Sequence, residues 1–453
     1  MLLRLICLLV LWLAPSWGSA QQLLWEQLYS PPGSRGSGLL HCPITSQGYI
    51  LAAGCSRPPT STCQIPQYQQ VFCLYDLNGT LLREQLGRPR FNGEQGFQPG
   101  TGSRYWWAGD QPLCPSVPVQ SGVRVQRVTL RGDTLLAWPM LAPVPPEHRA
   151  TAVLEDGRWL LVAGHEFGNA ANSYQQRYTL TSVDTTTGQV RWRRVYDRLP
   201  MASDYASALV RTPRGGYLVS GDGIVPTLSY YQHLLLETDS LGHRLKQKLL
   251  YPLGPGYNDG RRFSSISNLL ALPNAQGYLA SGTADSLTPS NQHYRRGYVL
   301  RLDTALNVTW VYAHPPALDG QISQDASRVR LLPNGTLALL IRDMRGTSNT
   351  NTASLRLLQI DLTTGQLLAR YALPNSSQTG IRPFDWQWVG DGTLVLCGES
   401  SPVGGSGVGQ GYLARWDFRA TPLATGRPAT QAGRASLRLY PTPATPTQAT
   451  AAH

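Results

Sequence analysis

Apolar and polar positions along this chain alternate in short runs, and one arrangement of runs recurs. An apolar strand leads to a tight turn and a strand of the form Gly-aromatic/Thr-Leu with small and apolar residues behind it. A long polar loop follows, then a strand ending in Asp, another tight turn and a final strand. The second strand of the unit reads GYILAAGC (48–55), YWWAGD (105–110), RWLLVAGH (158–165), GYLVSGD (216–222), GYLASGT (277–283), GTLALLIR (335–342) and GTLVLCGE (392–399). Short apolar runs bounded by Gly and turn residues predict strands, and no helical periodicity competes with them beyond residue 20.

The third strand ends on Asp76, Asp184, Asp239, Asp303, Asp361 and Asp417, with Thr129 at the equivalent place once, at spacings of 53 to 64 residues. An acid at that point accepts backbone N–H groups of the turn, and the Gly that follows supplies positive φ. These carboxylates are therefore read as turn formers rather than catalysts. The fourth strand appears as QVRWRRVY (189–196), RLKQKLLY (244–251), VTWVYAH (308–314) and QLLARYAL (366–373). None follows the last unit, whereas LLWEQLYS (23–30), ahead of the first, has the same character.

Repeats of this length, each too small for its own core, predict a ring of four-stranded sheets. The expectation is an all-β, seven-bladed β-propeller whose last blade is closed by the N-terminal strand 23–30. That pairing protects the sheet edges. A six-membered ring is the alternative if the degenerate second unit is misread.

The ends of the chain differ from this body. Residues 1–20 carry Arg4, an apolar run from Leu5 to Ala14, Pro15 and the small residues Gly18, Ser19 and Ala20, the pattern of an export signal cleaved before Gln21. Residues 21–425 form the expected propeller, and 426–453 are low in complexity and expected to be a disordered tail. Export places the chain in an oxidising compartment, either secreted or at the cell surface. Without Cys7 six cysteines remain, five of them in the first quarter of the mature chain. That clustering points to local disulfides, with Cys55 and Cys63 the most plausible pair, while Cys397 reads as a buried thiol or a long-range partner.

Charge changes the picture little. The formal charge is +12, yet the cations are nearly all arginines spread along the whole chain. A scattered distribution argues against a nucleic-acid partner. No Cys/His spacing suggests a metal, and no nucleophile-elbow, zincin, P-loop or dinucleotide pattern occurs, so no cofactor is expected. A monomer is expected, without a transmembrane segment.

Candidate chemistry lies on the long-loop face, among loops such as 56–70, 111–122, 166–177, 252–262 and 284–296. Aligned second strands place Cys55, Asp110, His165, Asp222, Thr283, Arg342 and Glu399 once per unit, just past each strand's end. They are expected as a polar ring near the funnel mouth. Asp110, His165, Glu166, Asp222, Arg342 and Glu399 are the candidate ligand-binding residues. The leading reading is a non-enzymatic binding or scaffold protein for carbohydrate or a surface protein. The alternative is a polysaccharide hydrolase or lyase that uses His165, Asp110, Asp222 and Glu399 as acid and base.

VDTTTGQVRW (183–192) and IDLTTGQ (360–366) resemble the repeats of quinoprotein-like secreted propellers. That resemblance implies the fold and not the quinoprotein activity. The expected Trp recurs only at Trp25, Trp192 and Trp310, and no vicinal cysteines are present. SLRLYPTPA (436–444) is similar to the opening of the C-terminal sorting domain of Bacteroidetes type IX secretion, with Thr442 where that pattern has Asn. The rest of such a domain is missing, which makes periplasmic residence the expectation if the motif does not function.

Overall fold

The computed structural model describes residues 21–419 except 58–67, 92–94, 100–103, 112–121, 130–133, 140–147, 168–175, 197–203, 226–229, 251–263, 288–292, 316–321, 346–351, 375–378 and 403–408. The signal-like segment, the tail with its sorting motif, Cys63, Cys114 and most of the long loops lie outside the described residues.

Strand β1 (Gln22–Tyr29) comes first. Sheet I is β2 (Ser37–His41), β3 (Ile50–Ser56), β4 (Tyr68–Tyr75) and β5 (Leu81–Phe91). Sheet II is β6 (Gln95–Pro99), β7 (Arg104–Gln111), β8 (Gly122–Thr129) and β9 (Thr134–Pro139). Sheet III is β10 (His148–Asp156), β11 (Trp159–Phe167), β12 (Gln176–Asp184) and β13 (Val190–Tyr196). Sheet IV is β14 (Asp204–Arg211), β15 (Tyr217–Val225), β16 (Tyr230–Thr238) and β17 (Arg244–Leu250). Sheet V is β18 (Ser264–Ala271), β19 (Tyr278–Leu287), β20 (His293–Leu302) and β21 (Val308–Ala313). Sheet VI is β22 (Ile322–Leu331), β23 (Leu337–Arg345), β24 (Thr352–Ile360) and β25 (Leu367–Leu373). Sheet VII is β26 (Thr379–Val389), β27 (Thr393–Pro402) and β28 (Gln410–Asp417), with β1 as its outer strand.

Each sheet packs on the next, and β2 packs on β27 to complete the ring. The core is accordingly divided among the crevices. Leu51, Phe72, Phe97 and Trp107 fill the one between sheets I and II, and Trp106, Val125, Val153 and Leu160 the one between II and III. Tyr29, Cys42, Val71 and Leu413 fill the one between VII and I. Burying a large side chain of this kind contributes about 1.5–3 kcal/mol, so stability is spread around the ring.

The expectation of a seven-bladed propeller needs correcting, because only six of the sheets are built alike as blades. In those six, the inner strand carries a bulge against the second strand: Leu39/His41, Ala150/Ala152, Ala206/Ala208, Ile266/Asn268, Ala326/Val329 and Pro383/Asp385. The same six have Asp at the end of the third strand or directly after it. Sheet II has neither feature: β6 pairs with β7 without a register shift, and β8 ends on Thr129. The ring is six blades of one construction with a divergent sheet set between the first and second of them. Single-sequence alignment of second strands could not show this, because the bulge lies in the inner strand.

The Asp turns behave as their chemistry requires. Asp76 Oδ1 accepts from the N–H groups of Asn78 and Thr80, Asp184 Oδ1 from Thr186 and Thr187, and Asp361 Oδ1 from Thr363 and Thr364. The turn glycines also receive a tryptophan from the preceding sheet. Trp25 lies over Gly79, Trp192 over Gly242 and Trp310 over Gly365, where an added Cβ would approach the indole to 2.6–2.7 Å. Trp25 Nε1 donates to Leu77 O (2.9 Å) and Trp310 Nε1 to Leu362 O (3.1 Å). Arg415 and Arg301 donate to the same two carbonyls from the neighbouring third strands. Gly at the turn is thus needed twice, for its positive φ and for the ring above it.

The closing strand runs from Gln22 to Tyr29, one residue earlier than expected, and pairs antiparallel with β28 from Gln22↔Asp417 to Tyr29↔Gly411. Ser37 ties the same seam, because its Oγ donates to Tyr29 O and accepts from the Gly411 N–H. Cys42, Cys55, Cys73 and Cys397 are buried thiols, and the expected Cys55–Cys63 pair involves Cys63, which lies outside the described residues.

Candidate functional site

The seven aligned positions lie inside the second strands rather than past their ends, since each strand continues for one to four residues beyond them. Where a hydrogen bond defines their direction, they point into the crevice toward the next sheet and not into the funnel. Asp222 Oδ1 accepts the Ile266 N–H (3.3 Å), and Thr283 Oγ1 accepts the Ala326 N–H (3.3 Å). Both amides sit at the inner-strand bulge of the following sheet, where the ladder is interrupted. A side-chain acceptor there satisfies a backbone donor that would otherwise be buried and unmatched.

The structure separates the candidate residues. His165 is fully buried, opposite Tyr178 in the β11–β12 pair. Glu166 is buried and held by Arg177 and Arg193 of its own sheet. Asp110 stands opposite Val123 in the β7–β8 register, and its side chain lies outside the described residues. Asp222 lies 3.6 Å from His233 Nδ1, and His233 Nε2 lies 2.9 Å from the Tyr298 hydroxyl. Burial dominates there. It raises the Asp222 carboxyl well above the usual range, despite the Ile266 N–H, and holds His233 down to about 3.

Arg342 and Glu399 are brought together across the crevice between sheets VI and VII. Arg342 Nη1 is 3.7 Å from Asp325 Oδ2, and Glu399 stands opposite Arg382 in the β26–β27 pair. Asp325 is one-third exposed (34%) and Arg382 is exposed, so this crevice opens to solvent at the long-loop end. Burial raises the Glu399 carboxyl pKa, and Arg382 and Arg342 offset only part of that rise. Burial likewise lowers Arg342, against the opposing pull of Asp325 and Glu399. Gly409 crosses directly over Glu399, where a Cβ would meet Oε1 at 1.9 Å. Two guanidiniums and two carboxylates thus alternate at one accessible place.

A second cluster was invisible in the repeat pattern. Asp385, on the inner strand of sheet VII, accepts from Arg330 Nη2 (2.8 Å) and pairs with Arg328 Nη1 (3.4 Å). Arg328 reaches past it to His41 Nδ1 (3.1 Å), on the inner strand of sheet I. Burial would raise the Asp385 carboxyl, but Arg328, Arg330 and His41 together outweigh it and hold the pKa below its ordinary value. These inner-strand residues flank the bulges of sheets I, VI and VII. Among the described residues, no group of three or more His, Cys, Asp or Glu is placed to hold a metal, and no helix is long and apolar enough to cross a membrane.

No protein-family pattern matches the chain, and comparison with curated proteins finds no match. Solved structures with a similar backbone include a protein of unknown function from Dyadobacter fermentans, at 10% identity and TM-score 0.49, covering 88% of this chain and all of that one. A sialidase from Streptococcus pneumoniae aligns at 8% identity and TM-score 0.45, over 88% of this chain and 71% of that one. An α-L-arabinofuranosidase from Fusarium graminearum aligns at 9% identity and TM-score 0.43, over 87% and 98%. Likeness at this level carries no argument about chemistry, which has to come from the residues of the site.

Proposed function

We propose that this chain is an exported binding propeller that holds a carbohydrate in the crevice between sheets VI and VII. The observation that carries this reading is the partly exposed set Asp325, Arg342, Arg382 and Glu399. Carboxylates accept and guanidiniums donate, and alternation of the two over a short span suits the vicinal hydroxyls of a sugar ring. The other described carboxylates among the candidates support binding over catalysis. Glu166 is occupied by two arginines, and Asp222 is enclosed between sheets with a backbone N–H.

A hydrolytic reading has one observation in its favour, the raised pKa of Glu399, which suits a general acid. The test is a glycan-array screen of the purified chain, with released sugar measured in parallel. Binding that falls at least tenfold in Arg342→Ala and Arg382→Ala, without release, is the expected result. Absence of binding to any glycan overturns the proposal. Sugar release that disappears in Glu399→Gln replaces it with the hydrolase.

A further inference from the structure

The seam between sheets VII and I holds three buried thiols, Cys42, Cys73 and Cys397, and the first and last of them are neighbours. Cys42 directly follows the inner strand of sheet I, and Cys397 lies on the second strand of sheet VII. Both are fully buried in the apolar cluster that fills this crevice, with Tyr29, Val71, Val395 and Leu413. Cys42 Sγ donates to Asp385 O at 3.6 Å, and Asp385 is the residue directly opposite Cys397 in the β26–β27 pair. Paired residues of adjacent antiparallel strands lie about 4.5–5.5 Å apart at Cα, so Cys42 Sγ is held against the strand position that faces Cys397. The two thiols are close enough to influence each other, and burial raises Cys397 well above the ordinary thiol range.

We infer that Cys42 and Cys397 form a disulfide that covalently closes the ring when the chain folds in the presence of an external disulfide. This bond would complement β1, which closes the same seam on the outer side through hydrogen bonds alone. The chemistry is two-step exchange. One of the two thiolates attacks the external disulfide and releases half of it as a thiol. The second thiolate then attacks the resulting mixed disulfide, forms the Cys42–Cys397 bond and releases the other half. The two protons lost by the cysteines end on the released thiols, and the external disulfide is the species reduced. Burial of both sulfurs restricts the exchange to folding or to opening of the seam, and it then shields the bond from reductant. The inference is independent of any ligand.

The test refolds the full chain with oxidised glutathione, blocks remaining thiols under denaturing conditions, and maps linked peptides by mass spectrometry. Fragments joining Cys42 to Cys397 are expected. The melting temperature should drop by on the order of 5 °C on reduction in denaturant and refolding with a thiol reductant. Cys42→Ser, Cys397→Ser and the double variant should share the lower value and lose the response to reductant. Because Cys42→Ser could perturb the core by itself, the peptide map of the wild-type chain decides independently of the variants. Alkylation of both residues after oxidative refolding, or linkage of either to a different cysteine, overturns the inference.

Discussion

The crevice between sheets IV and V and the one between sheets VI and VII present the same register positions and use them differently. In the first, Asp222 is enclosed, caps the Ile266 N–H and sits beside a buried His233 that reaches Tyr298. In the second, the equivalent Arg342 is itself largely buried but meets Asp325, Arg382 and Glu399, of which Asp325 and Arg382 reach solvent. The lesson is that a register position in a propeller specifies a direction, toward the next sheet, while the neighbour decides between a staple and a site. Thr283 follows the first pattern with a smaller side chain.

The largest effect that would sharpen this contrast is expected from His233→Ala. It empties a fully buried site and removes a partner of the Tyr298 hydroxyl, at a cost of about 3 kcal/mol in urea unfolding. A loss below 1 kcal/mol would show that the IV–V crevice does not act as a staple.

Asp222→Asn is expected to act in the opposite direction. The amide oxygen still accepts the Ile266 N–H, and no charge is left in the crevice. Because the folded carboxyl pKa lies above its unfolded value, its favourable contribution is fully present below the unfolded value and lost as pH rises through the folded one. The variant should therefore gain about 1 kcal/mol over wild type at neutral pH, with the gain vanishing in acid, as read from thermal melts across pH. A loss of stability at pH 7 would mean that the ionised carboxylate is held by more than this geometry shows.

In the open crevice the stability effect should be smallest. Glu399→Gln is expected to stay within about 0.5 kcal/mol of wild type, because Arg382 is exposed and Arg342 keeps Asp325 as an ion-pair partner. A cost above 2 kcal/mol by the same melts would make this crevice a second staple and remove the basis for a binding site there.

Much of the architecture was legible along the chain. Five Asp turns, four of them with a Gly after the Asp, and an orphan outer strand at residues 23–30 are local signals, and the structure places them in hairpins and in the β1–β28 pair. The repeat also picked out the second-strand positions, but it set them past the strand ends, and for Asp222 and Thr283 the hydrogen bonds point into the crevice and not into the funnel. Sheet II reads as a seventh copy in its second strand, although its inner strand lacks the bulge and its third strand lacks the acid. The Arg328–Asp385–His41 cluster was not legible at all, because its members come from three sheets and share no spacing.

By itself the sequence determined the elements, their order and the chemistry of their turns, since strand periodicity, Asp capping and Gly at positive φ act over a few residues. Only the tertiary structure decided which side chains meet across a crevice. Those encounters join residues whole units or more apart, and they depend on where each inner strand bulges and on how each sheet faces the next. That is why the turn aspartates follow from the sequence, while the separation of Asp222 from Arg342 and Glu399 follows only from the packing of the sheets.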